Sequence, residues 1–143
     1  MPNVLLDWRG PQLLREMEKA SEEALVEFGL RLETAAKSQL RKGHGVVTGT
    51  LRRSIHMASP DYDFAGDNVP PAAGTPERGG REARVGREAD KIAIETGSGL
   101  EYAMAVHQGH GTFDGYHFIT GPFEQLKGKF DGILARKAKA RLK

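Results

Sequence analysis

Between Pro11 and Arg41 the row Leu14, Met17, Ser21, Leu25, Phe28, Leu32, Ala35 and Leu40 recurs at steps of three to five residues. That spacing predicts one long amphipathic helix. Pro11 after Gly10 suits a first helical position, and Gly43 suits the stop. Glu27 with Arg31, and Glu33 with Lys37, set acid before base four residues apart. On an exposed face each such pair is worth a few tenths of a kcal/mol. A helix of roughly 30 residues runs about 45 Å, long for so small a domain, so part of its apolar row is expected to meet a neighbouring subunit.

The period then changes. In GHGVVTGTLRRSIHMAS, Thr48 is a good N-cap for a short helical turn with Leu51 and Ile55 on one side, feeding a strand that starts near Ser54. Residues 59–80 contain four of the seven prolines and four glycines with little periodicity, which marks a long loop. Beyond it Ala83 and Val85 alternate with charges, and Ile92 and Ile94 alternate with Ala93 and Glu95. This pattern predicts two short strands, a hairpin in one antiparallel sheet. LEYAMAVHQG reads as a short middle helix, with Tyr102, Val106 and Leu100 on its buried side and Gly109 as its C-cap. YHFIT reads as an edge strand. Thr120 then caps a last helix, with Pro122 in its first turn and Phe123, Leu126, Phe130, Ile133 or Leu134, and Leu142 along its stripe. Gly128 and Gly132 each weaken that helix by about 1 kcal/mol relative to alanine, so packing must hold it. The elements add up to a single α+β domain over residues 1–143: a small antiparallel sheet packed by a long N-terminal helix, a short middle helix and a C-terminal helix.

Composition narrows the function classes. With 38% hydrophobic and 28% charged residues, the chain matches a soluble globular domain with a modest core. MPNVLLDWRG lacks the basic start and long apolar centre of a signal peptide, so the expected compartment is the cytosol. Cysteine is absent, which removes thiolate metal sites and cysteine nucleophiles. Net charge is only +2, yet residues 127–143 hold Lys127, Lys129, Arg136, Lys137, Lys139, Arg141 and Lys143 against Asp131 alone. Such a tail can contact phosphates, although a solvated helix face is the favoured reading, since basic C-terminal turns also suit the helix dipole.

Candidate chemistry is sparse. His107 and His110 stand three apart, and Asp114 and His117 follow. On a continuous helix that spacing could aim two ligands at one ion. Gly109 and Gly111 end the helix too early, the HExxH arrangement is missing, and no metal or other cofactor is expected. His44 and His56 are isolated and receive no role. No serine sits in GxSxG, and VTGTL lacks the spacing and the lysine of a phosphate loop. Paired carboxylates such as Glu22 and Glu23 read as a solvated face. The residues favour a binding or structural protein over an enzyme.

The order of motifs resembles the gene-product-ten-like family of tailed-phage neck proteins, which are head–tail joining or tail-completion components. A TG-x-L-x-x-S-[IV] element after the first helix matches Thr48, Gly49, Leu51, Ser54 and Ile55. A YA-x-x-V-[EH]-x-G element matches Tyr102, Ala103, Val106, His107 and Gly109, and an aromatic PF segment opening the last helix matches Phe118, Pro122 and Phe123. In physical terms Gly49 permits a tight approach, Tyr102 and Val106 bury a helix against the sheet, and Gly109 gives a left-handed exit. His107 stands where the family also accepts Glu, which suits a polar contact at an interface. The long 59–80 loop departs from the family pattern. The resemblance covers about residues 12–140 and implies a non-enzymatic virion protein. It implies a homo-oligomeric ring, hexameric, between the connector or stopper and the tail proteins, passing double-stranded DNA without specific binding and touching no membrane. Near-neutral charge suits such a channel, because each neutralised phosphate slows transit. The 59–80 loop and the basic tail are the expected contacts with neighbouring rings. A tail terminator capping the tube is the near alternative, and a small DNA-binding protein using the basic C-terminal helix is the more distant one.

Overall fold

The computed structural model describes residues 8–42, 45–46, 49–57, 86–88 and 91–143. Gly43, His44, Thr48 with its expected capping role, Ala83, Val85 and the 59–80 loop lie outside the described residues. The architecture is α+β, as the pattern predicts. Helix α1 (Gly10–Gln39) has proline in its first turn and ends where Leu40 turns to extended backbone.

Its buried face differs from the expected row. Ala20, Ala24, Phe28, Leu32, Ala36 and Leu40 are buried in a single line four residues apart, whereas Leu14 is exposed. Sequence hydrophobicity picks out the large side chains; packing selects small ones, because alanine lets a neighbouring helix approach closely. That neighbour is the C-terminal segment. Residues 120–141 do not form the one helix expected. Helix α4 (Thr120–Leu126) gives way to a 3₁₀ turn at Lys127–Lys129, and α5 (Phe130–Arg141) follows. The break falls at Gly128, where helix propensity is lowest. Phe123 and Phe130 both set their rings edge-on against Phe28, with centroids 6.0 and 5.8 Å away. Ile133 closes a cluster with Ala24 and Phe28, with Leu134 packed beside it.

Ion pairs line the same seam. Arg141 bonds Glu16 at 3.0 Å and also Glu23, and Lys137 reaches Glu27 at 3.2 Å beside Arg136. With Phe130 near Phe28 and Arg141 near Glu16, α5 runs antiparallel to α1. Arg136, Lys137 and Arg141 are therefore a clamp between helices and not the simply solvated face expected of the basic tail. Glu27 meets Arg31 as well, at 2.7 Å. The Arg136 bond, opposed by desolvation and aided by Lys137 and Arg31, draws the Glu27 carboxyl down to about 2. Arg141 likewise holds Glu23 below the usual range.

The strands pair two by two. A parallel pair joins β1 (Arg41–Lys42) to β2 (Gly45–Val46), and the expected hairpin joins β4 (Gly86–Glu88) antiparallel to β5 (Lys91–Ala93). Between them in sequence lie α2 (Thr50–Ser54) and β3 (His56–Met57), and β3 pairs antiparallel with β6 (Thr96–Gly97). Strand β3 crosses α1 at Gly29, where an added Cβ would lie 2.3 Å from Met57 Sδ and 2.8 Å from Ile94 Cδ1. One turn on, Glu33 is buried: its carboxylate accepts the Met57 N–H at 3.1 Å and Lys37 Nζ at 2.8 Å. The Glu33–Lys37 pair is thus part of the strand–helix joint and does not lie on the exposed face expected of it. No helix among the described residues is long and apolar enough to cross a membrane.

The two acids separate by burial. Glu33→Ala leaves a buried N–H and a lysine unpartnered and should cost about 3 kcal/mol, while Glu27→Ala should cost under about 1 kcal/mol; equal losses in chemical denaturation would contradict this. Because the fold favours ionised Glu27, its contribution is complete above its ordinary pKa of 4.5 and is lost as pH falls toward 2. Stability measured against pH should therefore fall less steeply in that window for Glu27→Gln than for the parent chain.

Candidate functional site

The motif residues gather at the C-terminal end of α1. Ala36 and Leu40 form one cluster with Leu51, Ile55, Ala103 and Phe118, flanked by Leu100, Val106 and Ile119. A chain of hydrogen bonds ties its separate segments. Ser54 Oγ donates to Leu51 O at 2.7 Å, so the bond of 2.6 Å between Ser54 and Ser98 takes its proton from Ser98. Ser98 Oγ in turn accepts the Leu100 N–H at 3.2 Å. The TG-x-L-x-x-S-I element is thereby fastened to the foot of α3 (Ala103–Gln108), 44 residues away.

Helix α3 ends at Gly109, whose φ of 92° and ψ of 171° is backbone that essentially only glycine adopts. The left-handed exit expected there is a positive-φ exit with extended ψ. His110 and Phe113 then exchange two backbone hydrogen bonds of 2.9 Å across Gly111 and Thr112, a tight hairpin with glycine at its first central position. The chain returns so that Tyr116 N–H reaches Val106 O at 3.0 Å and His117 N–H reaches His107 O at 2.9 Å. These bonds satisfy carbonyls that the end of α3 leaves open. Two glycine backbones touch at the neck of this loop. A Cβ on Gly109 would lie 2.0 Å from Phe113 O, and one on Gly115 would lie 2.4 Å from His107 O. The expected edge strand YHFIT is not formed: His117 has φ of 48° and the chain turns at Phe118, which is 1% exposed. Alternation in HFIT looks strand-like, but the hydrogen bonds to α3 fix the backbone instead.

His107 lies beneath that return. Its Nδ1 faces the Ile119 N–H at 3.4 Å, and its Nε2 lies 3.3 Å from Thr120 Oγ1. An N–H can only donate, so Nδ1 is the acceptor and the proton sits on Nε2, directed at Thr120. In that tautomer the imidazole cannot take the Thr120 proton, so the pair is not an activated nucleophile. Thr120 bonds this histidine and does not cap α4 with its side chain, as had been expected of it. The ring packs edge-on against Phe118 at 4.9 Å, with His117 at 5.6 Å. Burial, then the neighbouring His117, lowers the His107 pKa below 6.5. These contacts are internal, so His107 serves the fold at this point, and its ring also borders the cleft described below. No group of three or more His, Asp or Glu that could hold a metal occurs among the described residues.

Some site expectations change. Tyr102 is 47% exposed, and Ala103 takes the buried place expected of it. Gly49 is left-handed at the start of α2, which is its reason for being glycine; no tight approach is needed there beyond Arg53 Nη1 at 3.0 Å. Pro122 is buried, and Phe123 turns away to Phe28. Above the cluster opens a cleft of about 340 Å³ whose lining includes Leu100, Ala103, Met104, His107 and Phe118. Met104 and Ser98 escaped sequence reading. Met104 is an exposed residue at the start of α3, and the Ser54–Ser98 bond leaves no local signature.

Compared with family models, with curated proteins and with solved structures, the chain matches none.

The glycines rank by their surroundings. Gly109→Ala and Gly115→Ala should each cost at least about 2 kcal/mol, since strained φ adds to backbone overlap. Gly111→Ala has open space around it and should cost about 1 kcal/mol. Urea unfolding of the three variants checks the order, and Gly111→Ala proving the worst would contradict the loop geometry.

Proposed function

We propose that this protein is a structural subunit of a tailed-phage neck, assembling into a ring that completes the tail and joins it to the head. The observation that carries the reading is the placement of exposed apolar side chains. Trp8, Leu13 and Leu142 stand at one end of α1, and Tyr102 and Met104 at the other. From Leu13 to Ala36 the helix rises about 35 Å, so the two sets cannot meet within one molecule. Two different apolar ends suit heterologous contacts, which close into a ring when the rotation between subunits is fixed. The order of the TGTLRRSI, YAMAVHQG and PF elements supports the same reading. Direct DNA binding through the C-terminal helix fits less well, because Arg136, Lys137 and Arg141 are already held by carboxylates of α1. In a phage or prophage that carries the gene, its deletion should leave filled heads and separate tails in electron micrographs. Normally joined particles would overturn the proposal, and recovery of the protein on headless tails would assign it instead to capping the tail tube.

A further inference from the structure

Both chain neighbours of Phe118 are tied to a single residue. On one side the His117 N–H reaches His107 O at 2.9 Å, and on the other the Ile119 N–H faces His107 Nδ1 at 3.4 Å. Between these ties the Phe118 ring packs edge-on against the same imidazole and joins the buried cluster of Leu40, Leu51 and Ile55. Among the described residues only His117, glycines aside, has a positive φ, at 48°. That backbone region is sparsely populated by residues with a side chain. The turn that buries Phe118 is therefore held in a conformation it does not favour alone, and His107 supplies the hold.

We infer that His107 is an acid-sensitive latch: its protonation lets the turn at residues 117–119 swing away from α3 and uncovers Phe118. The latch belongs to each subunit and does not depend on ring assembly. The proton adds at Nδ1, since Nε2 already carries one directed at Thr120 Oγ1. An acceptor then becomes a donor that faces the Ile119 N–H, and the tie on that flank is lost. The new charge is partly buried, His117 opposes it, and no carboxylate contributes to its titration. Elsewhere on the returning chain Tyr116 packs against Phe113, and Asp114 is exposed, as is Glu101 before α3. Across the cluster, α2 brings the cations Arg52 and Arg53, and the end of α1 brings Arg41 and Lys37, the latter bonded to Glu33. The cleft wall at 97–100 and the first turn of α4 hold no ionisable side chain, and Glu124 beyond them is paired with Lys127. Burial and His117 hold the His107 pKa below 6.5 in the closed turn, whereas the opened ring meets water. Protonation thus favours opening: the latch is complete above pH 6.5 and loosens as pH falls below it. The α1–α5 seam contains no histidine, so the change is confined to this corner.

Hydrogen–deuterium exchange of the full chain, read by mass spectrometry from about pH 8 to about pH 5, tests the latch in any oligomeric state. After correction for the intrinsic exchange rate, amides at 116–119 should exchange faster by up to about tenfold per pH unit below 6.5, while those of α1 keep their protection. His107→Gln retains an acceptor and a donor but takes no proton, and should abolish the acceleration. In the parent chain, exchange at the His107 ring carbon Cε1 reports the titration of that imidazole without any substitution, and the 116–119 amides should loosen over the pH range in which it charges. This second reading decides the matter if the variant does not fold. Protection at 116–119 that is unchanged with pH, acceleration that persists in His107→Gln or is shared by α1, or loosening while His107 stays neutral would each overturn the latch.

Discussion

In proteins a helix draws most of its stability from covering one face, and α1 is covered along a line of residues four apart. Ala20 and Ala24 admit α5, Phe28 takes the two aromatic rings, Gly29 and Glu33 lie at the β3 crossing, and Ala36 with Leu40 hold the α3 corner. Because the described strands are only two or three residues long, no sheet could organise these pieces by itself. The helix is the common wall, and small residues at the crossings decide how closely the others approach. Buried Glu33 adds a polar joint, fixing the Met57 backbone in register against the helix.

The corner around α3 shows a second level of construction. Its helix is six residues long and could not persist alone. It is held at its foot by the Ser54–Ser98 relay and at its end by the returning Tyr116 and His117 amides. Gly109 and Gly115 are required where those backbones touch. His107 beneath them is favoured neutral, so its contribution is complete above pH 6.5 and declines as pH falls below it. The histidine-rich stretch that invites a metal reading is in this way a loop closure, with its imidazole proton directed at Thr120.

Much of this is visible in the sequence, and the remainder is not for definite reasons. Helix α1, the short α3 with its glycine exit, and the hairpin at residues 86–93 follow from periodicity and from glycine placement. Periodicity missed the alanine line of α1 because alanine carries little hydrophobic signal. Tyr102 and Ala103 exchanged roles for the same reason: the larger residue attracts the assignment, while the close approach needs the smaller one. The interhelical clamp and the serine relay join residues 44 to 125 positions apart, for which a single sequence offers no period to read. HFIT failed as a strand because tertiary hydrogen bonds outweighed its alternation.

The two ends of α1 differ, with an apolar cleft over Ala103 and Phe118 at one and exposed Trp8, Leu13 and Leu142 at the other. On the proposed ring assembly, a subunit with unlike ends would associate head to tail, and the angle between neighbours would decide whether the chain of subunits closes. Native mass spectrometry of the purified protein at low ionic strength tests that claim most directly. A single closed oligomer is the predicted result; a two-fold dimer, or a monomer at all concentrations, would contradict it.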